Sequence, residues 1–398
     1  MIRQVQEAYI VAASRTPVAK APKGAFRLVR PDDLLVHALQ SALAQTPSLD
    51  PAAIEDSIIG CAFPEAEQGM NVARIALLLA GLPNTIGGMT INRFCASGLS
   101  AVAAAADRIR VGEADLMIAG GVESMSLVPM SGNKPAFNIE IFRNDANLSI
   151  AYGMGLTAEK VAQQWKISRA AQDAFALQSH QKALAAQAAG EFTEIAPFSA
   201  TQAVPDLASG ALRQNVVSLA HDEGPRADTS IEALNQLKTV FAAKGSVTAG
   251  NSSQMSDGAG VVILASEAAV KQFGLQPLAR FVSFSVRGVP PAIMGIGPKE
   301  AIPAALKTAG LRQDDLDWVE LNEAFAAQAL AVINDLQLDP AKINPLGGAI
   351  ALGHPLGATG AIRTATLVHA LQRRKLRYGM VTMCVGTGMG AAGVFERV

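Results

Sequence analysis

Two runs of alternating strand-length and helix-length apolar segments, one at each end of the chain, set what this sequence can fold into. In the first run, residues 8–14 and 57–61 read as buried strands. Residues 31–45 and 69–80 read as helices, and Pro31-Asp32-Asp33 suits a helix start because acidic groups favour the positive end of the dipole. Met89 to Ile91 ends a strand, a small-residue helix runs to about Arg110, and residues 115–119 form a strand with Gly120-Gly121 behind it. In the second run, residues 278–286, 318–321, 379–384 and 391–396 read as strands, and 297–309 and 358–373 as helices. This alternation implies α/β layers. Between the runs, residues 122–250 change texture. Only 158–189 keeps helical periodicity, in two segments around Ser168, and the rest reads as loop rich in Pro, Asn and Ser. Insertions of this length carry lids and binding loops. The strand pattern resumes at 259–265.

The two runs look like a repeat. Cys95-Ala-Ser-Gly98 precedes a small-residue helix and then the strand before Gly120-Gly121. His354-Pro-Leu-Gly357 precedes a similar helix and then the strand before Gly386. If the units pack about a pseudo-twofold axis, Cys95 and His354 occupy equivalent corners that face each other at the strand ends, where α/β folds place their chemistry.

Composition narrows the classes. Of 398 residues, 50% are hydrophobic and 17% charged, a rich core that suggests surface buried in an oligomer. The net charge of −1 advertises neither nucleic acid nor anionic membrane. Every apolar run is broken by Gly, Pro or charge within about 18 residues, short of a membrane span. Residues 1–7 are polar and lack a signal-peptide layout. Three widely spaced cysteines, Cys61, Cys95 and Cys384, form neither a disulfide framework nor a zinc site, and fit a reducing cytosol.

Cys95 sits at a strand-to-helix turn, where unpaired N–H groups and the dipole favour a thiolate. It reads either as a nucleophile or as a buried apolar cysteine. A nearby His354 would make an activated thiol suited to acyl transfer. Cys384, ahead of the glycines at 386, 388 and 390, reads as a general acid/base titrating near neutrality among N–H groups. Those glycines serve equally as an oxyanion site or a tight turn. Asn322 is either a helix cap or an amide presented to a cleft. His37, His180, His221 and His369 lack Gly-rich surroundings and read as structural or surface residues.

Several motifs, in order and spacing over nearly the whole chain, resemble the thiolases. They are residues 10–17 (IVAASRTP), 92–98 (NRFCASG), 120–125 (GGVESM), 248–254 (TAGNSSQ), 322–325 (NEAF), 353–360 (GHPLGATG) and 384–388 (CVGTG). The resemblance implies the thiolase fold: two βαβαβαββ halves in an α/β/α/β/α core, with a loop domain inserted in the first. The halves would be residues 1–121 with 250–270, and 271–398, with the CoA-binding loop domain at 122–249.

The resemblance also implies that Cys95 is acylated, that His354 activates it and later the CoA thiol, and that Cys384 shuttles the α-proton. Asn322 would hold a water that forms one oxyanion hole with His354, and the N–H groups of Cys95 and Gly386 would form the other. Met154, Arg226, Phe241, Ala249, Ser253, Ala324 and Phe325 would contact CoA, with Arg226 stacked on adenine. The sequence departs from the family pattern at Ala96 and Gly153. No metal or resident cofactor is implied; CoA is a substrate. The implied partners are acyl-CoA, a second or further copies of the chain, and possible β-oxidation partner subunits, in the cytoplasm.

Residues 124–130 (SMSLVPM), 253–256 (SQMS) and 386–389 (GTGM) resemble the degradative 3-ketoacyl-CoA branch, with acetoacetyl-CoA acetyltransferase as the alternative. Ketoacyl-carrier-protein synthases share the fold but lack a cysteine at the last polar position, where Cys384 stands. A non-catalytic acyl-CoA-binding relative would have lost Cys95, His354 or Cys384.

Overall fold

The computed structural model describes residues 5–206 and 208–398. Residues 1–4, in the polar opening, and Leu207, in the stretch read as loop, lie outside them. The first half comprises β1 (Ala8–Arg15), β2 (Ala19–Lys20), α1 (Pro31–Ala44), β3 (Asp56–Gly60), α2 (Val72–Leu79), β4 (Met89–Ile91), α3 (Ser97–Arg110) and β5 (Leu116–Ser124). The insertion carries α4 (Glu140–Arg143), α5 (Asp145–Leu148), α6 (Met154–Gln164), α7 (Arg169–Ala188), β6 (Phe198–Pro205), β7 (Leu212–Leu219) and α8 (Ile231–Asn235). β8 (Ser256–Ser266) and α9 (Glu267–Phe273) return to the first half. The second half is β9 (Ala279–Gly288), α10 (Gly297–Ala309), β10 (Trp318–Leu321), α11 (Ala326–Leu336), α12 (Ala349–Leu352), α13 (Thr359–Arg374), β11 (Tyr378–Val385) and β12 (Met389–Arg397).

The strands run in the order β10-β11-β12-β9-β1-β8-β5-β3-β4, with β2 on β8. The seam is the β1–β9 pairing, which registers Tyr9 with Arg280 and Ile10 with Ala279. Outward from the seam each half repeats one pattern. Antiparallel pairs come first (β1–β8–β5 and β9–β12–β11), then a parallel neighbour (β3 and β10). Where the first half adds β4, the second has a parallel bridge between Val319 and Ile343.

Side-chain alternation explains the layers. On β8, Val261 and Ile263 face an outer core with Leu34, Leu35 and Leu39 of α1, while Val262 and Leu264 face a central core. A strand buried on both faces reads as an unbroken apolar run, as this one does. The central core joins Leu99 and Val102 of α3, Leu367 and Leu371 of α13, Phe281 of β9 and Phe395 of β12. A third core packs Ile302 and Leu306 of α10 and Val332 of α11 on Val319, Met380 and Val394. The result is an α/β/α/β/α stack with α3 and α13 in the middle.

Those two helices meet at their N-termini through glycine. A Cβ on Gly360 would lie 2.1 Å from Leu99 N, and one on Gly98 would lie 2.7 Å from Ala361 N. The corners anticipated for Cys95 and His354 therefore do pack together, but not in equivalent register. Cys95 is the middle residue of a 3-10 turn two residues before α3. The matching turn before α13 is Leu356–Ala358, so Gly357, not His354, is the counterpart of Cys95.

The insertion is tied to both halves. Buried Arg15 on β1 pairs with Glu194 at 3.0 Å and with Asp222 at 2.7 Å. Ser179 on α7 donates to Glu323 at 2.7 Å. The stretch read as loop contains the β6–β7 hairpin, whose β7 strand is mostly exposed.

Candidate active site

Cys95 follows Phe94, whose φ of 42° lies in the left-handed region. That costs a non-glycine residue about 1–3 kcal/mol and needs support. Asn92 Oδ1 accepts from Phe94 N at 2.7 Å, and Ser97 Oγ donates to Phe94 O at 2.7 Å. The thiol is 6% exposed. Burial pushes it up to about 12, against the pull of the Gly386 and Cys95 N–H groups, and the charge of Glu123 adds to the rise. The turn supplies donors as the sequence suggested, but desolvation outweighs them, so the resting form is the thiol.

His354 follows Gly353, whose φ is 90° and whose Cβ would meet Ser256 Oγ at 2.5 Å. The His354 N–H donates to that same hydroxyl at 3.1 Å. Thr359 Oγ1 stands 2.6 Å from Nδ1 and donates its own hydrogen to Pro355 O at 3.0 Å. Its remaining capacity is as an acceptor, which places the imidazole hydrogen on Nδ1 and the lone pair on Nε2. Nε2 faces the Asn322 amide nitrogen at 3.3 Å. Burial, then the Arg363 charge, lowers His354 to about 3, so the ring is a neutral base.

Asn322 is 2% exposed. Helix α11 begins only at Ala326, so Asn322 is no cap; its amide is presented beside the imidazole. Gln328 Nε2 holds Asn322 O at 3.2 Å. Asn322 Oδ1 is buried without a hydrogen-bond partner among the described residues, an acceptor free for a polar guest.

Cys384 is fully buried on β11. Burial raises its pKa, and the nearby Cys95 adds to the rise. Burial thus works against the anticipated titration near neutrality, and the N–H that opposes it is that of Cys384 itself rather than one from the 386–390 turn. That turn reverses β11 into β12, with Thr387 and Gly388 at positive φ. The tight-turn reading of its glycines holds, and the turn also directs the Gly386 N–H at the Cys95 sulfur.

The anticipated CoA residues divide among two cavities and a cluster that includes Cys384. Cys95, Met154 and Gly386 line an apolar cleft of about 280 Å³ with Phe63, Phe94, Met130, Phe137, Ile150 and Leu356. Arg226 and Ala249 line a cavity of about 370 Å³ with Lys20, His180, Thr229 and Gln254. Ala324, Phe325 and Met154 cluster with Cys384. Phe241 packs edge-on against Phe325 at 6.1 Å. Ser253 N donates to Ala324 O at 2.9 Å. Arg226 pairs with Asp228 at 2.8 Å, and its N–H donates to His180 Nδ1 at 3.2 Å.

His180, read from sequence as structural or surface, thus lines the basic cavity. Burial, Arg226 and Lys20 lower it to about 4. Its place on the middle turns of α7 gives no local signal. Lys20, Glu123 and Thr359 also escaped the sequence reading. No cluster of three or more His, Cys, Asp or Glu able to hold a metal occurs among the described residues, and no helix there is long and apolar enough to cross a membrane.

Two thiols, a neutral imidazole and a glycine N–H, gathered where two strand–turn–helix units meet, make a set of groups suited to acyl transfer through a thiol nucleophile. The thiolase N-terminal domain profile matches residues 8–268 and the thiolase C-terminal domain profile matches 275–397, so the chain belongs to the thiolase family. It is 49% identical over 393 residues to a 3-ketoacyl-CoA thiolase of Bacillus subtilis, covering 98% of this chain and 100% of that one. Among solved structures it is similar to the Bacillus anthracis acetyl-CoA acetyltransferase (TM-score 0.89, 39% identity, 100% of both chains). It is also similar to human mitochondrial 3-ketoacyl-CoA thiolase in complex with CoA (TM-score 0.87, 39% identity, 99% and 98% of the two chains).

Proposed function

We propose that this enzyme cleaves 3-ketoacyl-CoA with CoA, giving acetyl-CoA and an acyl-CoA shortened by two carbons, as in fatty-acid β-oxidation. The Cys95 thiol gives its proton to His354 Nε2 and its sulfur attacks the 3-keto carbon. The C2–C3 bond then breaks, leaving acyl-Cys95. The acetyl-CoA enolate takes a proton from Cys384; as acetyl-CoA leaves, the proton held by His354 passes to the Cys384 sulfur, and the imidazole is neutral again. His354 next accepts the proton of CoA, whose sulfur attacks the thioester; the shortened acyl-CoA leaves and Cys95 regains its proton. The Cys95 and Gly386 N–H groups would stabilise one oxyanion, and His354 with a water on Asn322 Oδ1 the other. The chemistry asks for no resident cofactor.

The apolar cleft opening on the Cys95 sulfur carries this reading, because about 280 Å³ lined by Phe63, Phe94, Phe137 and Ile150 suits an alkyl chain. The acetoacetyl-CoA acetyltransferase alternative has only a methyl group to put there. Thiolysis across 3-ketoacyl-CoAs of increasing length is the test. Higher kcat/KM for longer chains than for acetoacetyl-CoA supports the reading, and activity on acetoacetyl-CoA alone overturns it.

We also infer an assembly of at least two copies acting in the cytoplasm. The β4 edge supports the first part, with exposed Met89 and the nearby exposed Leu78 and Leu79 of α2. A monomer in sedimentation would overturn it. The three free thiols suit a reducing compartment. A β-oxidation partner subunit belongs to the same proposal and would show as co-purification of a second chain.

A further inference from the structure

We propose that Glu123 is a positioning residue, one buried carboxylate that sets the nucleophile turn against the imidazole turn; the proposal rests on the thiolase reading above. Glu123 lies near the end of β5 and is 1% exposed. Its Oε2 accepts from Ala62 N at 2.7 Å and from Gly357 N at 2.8 Å. Its Oε1 accepts from Gln68 Nε2 at 2.6 Å and from Phe63 N at 3.3 Å, with the Cys61 sulfur at 3.9 Å.

Two short paths leave this carboxylate. One runs through Gly357, three residues beyond His354. The other runs through Ala62, whose carbonyl accepts from Asn92 Nδ2 at 2.9 Å, to Asn92 Oδ1, which accepts from Phe94 N at 2.7 Å. Phe94 is the strained residue beside Cys95. The junction has no slack, since a Cβ on Gly357 would lie 2.6 Å from Ala62 N and 2.7 Å from Glu123 Oε2. Gln68 fixes the carboxylate in turn, because its Oε1 accepts from Ser124 N at 2.8 Å.

The charge has a second effect. Glu123 is held by N–H donors rather than by a cation. The titratable groups facing it are Cys61 after β3, Cys95 before α3 and, beyond Gly357, His354. Its negative charge disfavours the Cys95 thiolate. The residue therefore orders both turns and adds to the burial that keeps the nucleophile protonated. An uncharged amide cannot do either. One edge of a glutamine presents N–H₂ to donors that now meet oxygen, and its charge is gone.

The experiment compares the full-length wild type with E123Q and E123D in two assays: thiolysis of a 3-ketoacyl-CoA, and the pH profile of Cys95 alkylation by iodoacetamide. E123Q should lower kcat at least about tenfold, through lost alignment, with KM changed less than about twofold. Its alkylation profile should move to lower pH. E123D, which keeps the charge and misplaces the oxygens, should lose kcat but keep the wild-type profile. A kcat for E123Q within about twofold of wild type, or an unmoved alkylation profile, overturns the proposal. If E123Q does not fold, N92A decides instead. It cuts only the nucleophile path and should lower kcat at least about fivefold with the profile unchanged; kcat within about twofold of wild type overturns the proposal. Failure of the thiolase reading looks different, since the wild type itself would then not cleave the substrate.

Discussion

Replacing Thr359 with valine removes one oxygen from beneath His354 and little volume. In the wild type that oxygen stands 2.6 Å from Nδ1 and is committed as an acceptor because its hydrogen goes to Pro355 O. Without it the imidazole has two options. It can keep Nδ1–H unsatisfied in a site where His354 is 4% exposed, at a cost of about 1–3 kcal/mol. Otherwise it can move the hydrogen to Nε2, against the Asn322 amide N–H, and lose the lone pair that we propose takes protons from Cys95 and CoA. Either route raises the barrier by about 1–3 kcal/mol, or about 5- to 150-fold in kcat. The assay is steady-state thiolysis at saturating substrates, with thermal unfolding as the control. Thr359→Ser restores the oxygen and should stay within about threefold of wild type. A valine variant with wild-type kcat, or a serine variant as impaired as valine, would refute the tautomer argument.

Cys384→Ser should still allow Cys95 to be acylated but slow carbon–carbon cleavage and α-proton exchange of acetyl-CoA by about 10²-fold, as for a lost general acid/base; wild-type deuterium exchange by NMR would assign the α-proton elsewhere. Arg226→Ala should raise KM for CoA substrates more than it lowers kcat, the pattern of lost uniform binding, and a fall in kcat alone would mean that Arg226 acts elsewhere. His354 has a folded pKa of about 3 against an ordinary 6.5. Below 6.5 the unfolded chain takes the extra proton, so the ring's contribution to stability is present above 6.5 and is lost as pH falls towards 3. In urea unfolding between pH 7 and 4, the wild type should lose more stability than His354→Asn, and parallel losses would count against a buried neutral ring.

Where burial pattern and local chemistry agreed, the sequence was legible: the strand at 318–321 and the helix at 297–309 have the anticipated bounds. Glycine misled at β5, which runs through Gly120-Gly121 to Ser124 instead of ending before them. Those glycines serve close packing rather than a turn, since a Cβ on Gly120 would meet Gly260 O at 2.6 Å and one on Gly121 would meet Gly357 O at 2.4 Å. Helix α2 starts later than 69 because Met70 has a φ of 54° and Asn71 caps the first turn from its side chain. The β6–β7 hairpin escaped because exposed strands have no apolar face to alternate. At the site, Cys95, His354, Cys384 and Asn322 were visible as chemistry-bearing residues in motifs. Glu123 and His180 were not, because their partners lie far away in sequence or are backbone N–H groups that leave no mark in composition; Thr359 stood in the 353–360 motif, but only the structure shows its hydroxyl against His354 Nδ1.

The central claim, that Cys95 carries the acyl group, is tested most directly by mass spectrometry of enzyme exposed to an acyl-CoA donor and freed of CoA before digestion. The account predicts an acyl mass increment on the peptide containing Cys95, discharged on adding CoA, with Cys61 and Cys384 unmodified. An increment on Cys61 or Cys384 alone, or one on Cys95 that CoA does not discharge, would contradict it.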